Sequence, residues 1–188
     1  MTLDVATLGE AMLRVWTPAG ERLSNAESFR VSVGGAESNV AVALRQIGKS
    51  ASWISRLSPG PLGDRISQEI GRHGVDLSGV TWDDDARTGL YFVELSAAPR
   101  PVMVHYDRAN SAASKMSTEN VDLAVINSAQ VFHISGITPA LSASCSELSL
   151  AAVSHAKASG VKVTIDVNYR SRLWFASDAN KTLSKMCE

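Results

Sequence analysis

Short apolar runs and amphipathic stretches of helical period alternate along most of this chain, with glycines between many of them. Val5 to Leu8 is an apolar run ending at Gly9-Glu10, which predicts a buried first strand. Met12 to Trp16 and Phe29 to Val33 are short runs of β type around the turn-rich Thr17-Pro18-Ala19-Gly20. Beyond Gly34-Gly35 the period lengthens. Val40, Ala43, Leu44 and Ile47 form the stripe of an amphipathic helix, ended by Gly48. Ala51 to Leu57 predicts a strand, and Leu62, Ile66 and Ile70 mark a second helix that stops near Gly74.

Thr88 to Leu95 and Val102 to Tyr106 alternate with period two around Ala97-Ala98-Pro99-Arg100, the pattern of a hairpin. A helical stretch over Asn120 to Ser128 follows, then a strand from Gln130 to Ile134. Leu141, Cys145, Leu148 and Ala152 trace a helix that ends at Gly160. Val161, Val163, Ile165 and Val167 read as a parallel strand covered on both faces, and a last helix precedes Met186-Cys187-Glu188. This alternation predicts an α/β fold with a mostly parallel sheet and right-handed crossovers. Residues 12–33 and 88–108 do not fit the crossover pattern and are assigned to a small β sub-domain. Residues 1–11, 34–87 and 109–188 are assigned to the α/β domain.

The 188 residues suffice for one domain, or one domain with a small appendage. A net charge of -1 argues against a broad electrostatic grip on nucleic acid or anionic lipid, so neither is an expected partner. Cys145 and Cys187 are too few for a disulfide framework and read as reduced thiols. The opening Met1-Thr2-Leu3-Asp4-Val5 lacks the pattern of a secretory signal, and no apolar stretch approaches the ~20 residues that cross a bilayer. A cytoplasmic location is therefore expected.

Several familiar signals fail on inspection. Gly48-Lys49-Ser50 resembles the end of a phosphate loop, but Ala43 stands where that motif needs glycine. No G-x-G-x-x-G is present, and Ser135-Gly136 is not part of a nucleophile elbow. His73, His105, His133 and His155 have no zinc-ligand spacing, so no metal site is assigned.

Three constellations remain. Gly34-Gly35-Ala36-Glu37-Ser38-Asn39 opens the first amphipathic helix. Its glycines allow close backbone approach, the helix start offers free N–H groups, and Asn39 can donate and accept. A plain loop entering a helix explains the same residues. Tyr106-Asp107-Arg108-Ala109-Asn110 follows the hairpin, where Arg108 suits an anionic ligand; an Asp107–Arg108 surface pair is the ordinary alternative. Asp166-Val167-Asn168-Tyr169-Arg170-Ser171-Arg172 stands at the C-terminal end of a predicted parallel strand, where open α/β sheets bind ligands.

Taken together and in order, these segments resemble the ribokinase-like (PfkB) carbohydrate kinases. The resemblance also rests on Leu8-Gly9-Glu10, Pro61-Leu62-Gly63, Thr88-Gly89-Leu90-Tyr91 and His133-Ile134-Ser135-Gly136-Ile137. The Ala36-Glu37-Ser38-Asn39 form is similar to the ketodeoxygluconate subgroup, whereas many members have proline at the Glu37 position. It implies a Rossmann-like α/β domain whose β lid closes over a sugar and pairs with a second subunit. It also implies transfer of the ATP γ-phosphate to a sugar acid, 2-keto-3-deoxygluconate, with Mg²⁺ assisting. Gly34, Gly35, Asn39, Tyr91, Tyr106, Arg108 and Arg170 would hold the substrate, with Arg108 near its carboxylate. Arg170 would also reach the transferred phosphate, and Asn168 would lie close to ATP. The family places its anion hole and catalytic aspartate in a Gly-Ala-Gly-Asp segment that does not occur here. The expectation is therefore a C-terminally truncated kinase, inactive as the 188-residue chain. A fructokinase, with no carboxylate for Arg108 to hold, and a non-catalytic sugar-binding or assembly module are the competing readings.

Overall fold

The structure is a computed structural model that describes residues 3–96 and 98–188. Ala97, in the expected hairpin turn, and Met1 and Thr2 lie outside the described residues. Nine strands are described: β1 (Leu3–Leu8), β2 (Met12–Trp16), β3 (Arg30–Gly34), β4 (Ala51–Leu57), β5 (Val80–Trp82), β6 (Leu90–Glu94), β7 (Met103–Asp107), β8 (Ala129–Ser135) and β9 (Lys162–Asp166). The α-helices are α1 (Ala36–Gln46), α2 (Pro61–Gly71), α3 (Ala143–Ala158) and α4 (Ala176–Cys187).

The apolar, β-branched runs make a five-stranded sheet in the order β5-β4-β1-β8-β9, parallel throughout. Such strands need cover on both faces. One face packs Trp53, Leu57, Ile66, Ile70 and Ala41 beneath α1 and α2. The other packs Leu8, Phe132 and Ile134 against Leu148, Ala152 and Met186 of α3 and α4. A smaller sheet, ordered β3-β2-β6-β7, joins β2 to β3 and β6 to β7 antiparallel, with β2 and β6 parallel. Its Leu13, Val31, Val33 and Leu90 pack into the α1–α2 core. No helix among the described residues is long and apolar enough to cross a membrane.

Three elements differ from expectation. Over Leu123–Ser128 the chain forms 3₁₀ turns rather than an α-helix. The segment runs directly into β8, buries Ile126, and carries β-branched Val125 and Ile126, which favour neither a long nor a regular helix. β5 was not anticipated; three residues are too few for a periodic signal. β9 is an edge strand rather than one covered on both faces. Lys162, Thr164 and Asp166 are exposed, and only the intervening Val163 and Ile165 pack inward. Polar residues alternate with the β-branched ones there, and that alternation is the signature of a half-buried strand.

Candidate functional site

The order of the large sheet reverses at β1, whose neighbours are β4 on one side and β8 on the other. Open parallel sheets form their ligand crevices outside the carboxyl ends of strands at such a point. Gly9-Glu10 leave the end of β1 there, and Ser135-Gly136 leave the end of β8. Trp53 Nε1 donates to the Gly9 carbonyl at 3.1 Å, fixing the exit of β1 against β4.

Two buried carboxylates organise this rim. Glu37, in the first turn of α1, is 1% exposed. Its Oε1 accepts from the Ser135 amide at 3.0 Å, the Ser135 hydroxyl at 2.7 Å and the Thr138 hydroxyl at 2.8 Å. Burial pushes its carboxyl above the ordinary range, and the hydrogen bonds from Ser135 and Thr138 oppose that rise. Glu37 thereby ties the start of α1 to the end of β8. Glu10, 3% exposed, accepts from Ser111 Oγ at 2.6 Å and forms an ion pair with Arg108 Nη2. Neither acid was singled out from sequence as a site residue.

Arg108 is thus paired with Glu10. The alternative of an Asp107–Arg108 surface pair does not hold, because Asp107 instead accepts a two-pronged contact from Arg87, with Nη1 at 2.6 Å. Arg87 holds the Asp107 carboxyl below its ordinary range. The Arg108 guanidinium also lies 5.5 Å from the ring centre of Tyr106, within cation–π range.

From Arg108 the site continues through aromatic rings. Tyr106 and Tyr91 are cross-strand neighbours on β7 and β6, stacked with centroids 5.8 Å apart. Tyr91 reaches across β2 to Gly34, its hydroxyl occupying the space where a side chain at position 34 would stand. Only glycine admits that approach. Burial raises the Tyr91 phenol above its ordinary pKa, and the nearby positive charge of Arg14 opposes the rise. Gly35 lies against the Glu10 carbonyl.

Gly34, Gly35, Tyr91, Tyr106 and Arg108 are therefore linked to Glu10 by a chain of contacts. The loop after β9 touches the small sheet at one point and the end of β8 at another. Arg172 Nη1 donates to the Val104 carbonyl of β7 at 3.1 Å, and the Gly136 amide donates to the Asp166 carbonyl at 2.8 Å. Asn168 adopts the left-handed conformation (φ 36°), and its amide donates to Asp166 Oδ1 at 3.1 Å. A non-glycine residue held there marks a constrained loop. Arg170 is exposed and forms no ion pair among the described residues. Asn39 points elsewhere: it lines a groove of about 240 Å³ between α1 and α2 with Val33, Gln46, Glu69 and His73.

This fold and rim define an α/β protein with a small second sheet joined at the switch point of a parallel one, and comparison with known proteins is specific. The model of the pfkB family of carbohydrate kinases matches residues 2–187, and the chain belongs to that family. It is 44% identical over 179 residues to the 2-dehydro-3-deoxygalactonokinase of Haloferax volcanii, covering 95% of this chain and 56% of that protein. The crystal structure of the Thermotoga maritima 2-dehydro-3-deoxygluconokinase superimposes with a TM-score of 0.93 at 39% identity, over 97% of this chain and 56% of that one. Fructokinase-1 of Zea mays is 32% identical over 179 residues, covering 95% of this chain and 55% of that protein. The chain thus spans little more than half the length of these relatives.

Proposed function

We propose that this chain forms the sugar-binding portion of an ATP-dependent kinase acting on a 2-keto-3-deoxy sugar acid such as 2-keto-3-deoxygluconate. The observation that carries this reading is the run of contacts from Gly34 through Tyr91, Tyr106 and Arg108 to Glu10, a set of hydroxyl, aromatic and guanidinium groups beside the switch point of the sheet. Residues 12–33 and 88–108 act as the lid, and residues 1–11, 34–87 and 109–188 as the α/β body. Gly34, Gly35, Tyr91, Tyr106 and Arg108 hold the sugar acid, and Arg170 reaches in from the loop after β9; Asn39, which lines the α1–α2 groove, is given no part in it. The lid is also the surface through which two copies pair. A donor nucleotide implies a cytoplasmic location.

The residues present fit the phosphate end of ATP in one respect: Arg170 is an exposed cation without a carboxylate partner among the described residues, with Asn168 beside it. Bound ATP would supply the transferable phosphoryl group. Arg170 would neutralise charge on it, and Asn168 would position the neighbouring loop. In such a transfer a sugar hydroxyl oxygen bonds to the γ-phosphorus while the β–γ bridging bond breaks, and the hydroxyl proton passes to a base. No Gly-Ala-Gly-Asp occurs in the 188 residues, and we assign that base to none of them. No described group of three acidic, His or Cys side chains suits Mg²⁺, so no residue is assigned to the metal. The chain as given is expected to bind the sugar acid without turning it over.

Isothermal titration of the purified chain with 2-keto-3-deoxygluconate and with fructose tests the substrate class, and a coupled ADP-release assay tests turnover. Saturable binding of the acid in preference to fructose, with no ADP release, is the expected outcome. The similarity to a fructokinase favours one competing reading, a neutral ketose substrate. Preference for fructose would establish it instead.

A further inference from the structure

The charge balance of the aromatic surface points to a residue outside the constellations above. Arg108 and Glu10 form a buried pair of no net charge, so a substrate carboxylate placed beside Arg108 also stands near an anion. Arg14 differs. On β2 it sits directly opposite Tyr91 in the parallel register with β6, on the same face of the sheet. Tyr91 crosses β2 to reach Gly34, which brings its ring alongside Arg14. The guanidinium lies 5.3 Å from the Trp16 ring centre, and its buried Nε has no hydrogen-bond partner. No carboxylate pairs with Arg14 among the described residues. A cation held against two aromatic side chains with no counter-ion among the described residues suits an anionic ligand.

We infer that Arg14 is a specificity-determining residue of this site, supplying the net positive charge that selects a carboxylate-bearing sugar over a neutral one. The inference rests on the sugar-acid reading proposed above and deepens it. Arg108 then acts with Glu10 as a neutral hydrogen-bonding unit, and Arg14 provides the uncompensated charge. Arg30 also stacks on Trp16, at 5.2 Å, but it is exposed and opposite Trp16 rather than Tyr91. It serves as the control.

The test is titration calorimetry of the full chain with 2-keto-3-deoxygluconate and with fructose, on the parent protein and on Arg14→Gln, Arg14→Lys and Arg30→Gln, with thermal melts alongside. Arg14→Gln should weaken acid binding by about tenfold or more while changing fructose binding by less than about twofold. Arg14→Lys keeps the charge and should retain most of the acid preference, which guards against a folding defect in the glutamine variant. Arg30→Gln should leave both affinities within about twofold of the parent. Acid affinity unchanged in Arg14→Gln, equal loss for both sugars, or equal loss in Arg14→Lys and Arg14→Gln would each overturn the inference while leaving the substrate class standing. A parent chain that prefers fructose, or binds neither sugar, would instead defeat the sugar-acid reading and leave Arg14 no carboxylate to select.

Discussion

Glu10 and Arg108 are 98 residues apart in sequence and meet as an ion pair in which the Glu10 side chain is 1% exposed and that of Arg108 12%. The pair joins the exit of β1 to the exit of β7, so it links the two sheets at the rim of the crevice. Removing one member leaves the other buried and uncompensated. Arg108→Ala should therefore destabilise the chain by about 3–5 kcal/mol in urea unfolding, beyond any loss of ligand. The double variant Glu10→Leu with Arg108→Leu should recover much of that stability, because the orphaned charge is then gone.

Gly34 and Gly9 should respond differently to the same added methyl group. At position 34 the methyl meets the hydroxyl end of Tyr91, a side chain that can swing away. Gly34→Ala should melt near the parent temperature yet bind the sugar acid about tenfold or more weakly. At position 9 the methyl meets the Glu37 carboxyl, which is buried and held by Ser135 and Thr138. Gly9→Ala should cost about 1–3 kcal/mol of stability, read from denaturant melts.

Glu37 makes stability depend on pH. Burial raises its folded-state pKa above the unfolded value, near 4.3 for an ordinary glutamate. Its contribution is then full below the unfolded value and is lost as pH rises through the folded one. Glu37→Gln keeps the acceptor oxygen for Ser135 and Thr138 but carries no charge. Its melting temperature relative to the parent should rise as the pH is raised above the unfolded value, and level off once the folded-state pKa is passed. A constant difference as the pH is raised would show that Glu37 does not titrate differently in the folded state.

Phe175 precedes α4 at the N-cap position, where its side chain accepts no hydrogen bond, and it is 80% exposed. Val167 and Tyr169 nearby are also exposed. Phe175→Ser supplies a capping hydroxyl and removes apolar surface. It should stabilise the chain by about 0.5–2 kcal/mol and lower the fluorescence of a bound hydrophobic dye.

Much of the fold was legible because each main element has its own local pattern. The i, i+3, i+4 stripe at Val40, Ala43, Leu44 and Ile47 marks α1, and the period-two runs around residues 88–107 mark the β6–β7 pair. β9 differs from expectation because its β-branched residues dominate the local pattern, while the alternating Lys162, Thr164 and Asp166 decide which face is exposed. The site was legible in part. Gly34, Tyr106 and the segment from Asp166 belong to motifs that stand out in the chain. Glu10 and Glu37 do not, because what makes them notable is contact with Ser111, Arg108, Ser135 and Thr138, all about 100 residues away. Arg14 had a faint signal as the polar position of a short apolar strand, but its meaning depends on the register with Tyr91.

The central claim is that the segments around Gly34, Tyr91, Tyr106 and Arg108 bind one small ligand together. Backbone-assigned NMR of the isotope-labelled chain, titrated with 2-keto-3-deoxygluconate, tests it most directly. The amides of Gly34, Gly35, Tyr91, Tyr106 and Arg108 should shift along a single saturating curve, with those after β9 following. Shifts confined to the α1–α2 groove around Gln46 and His73, or separate curves for the glycine loop and the small sheet, would contradict it.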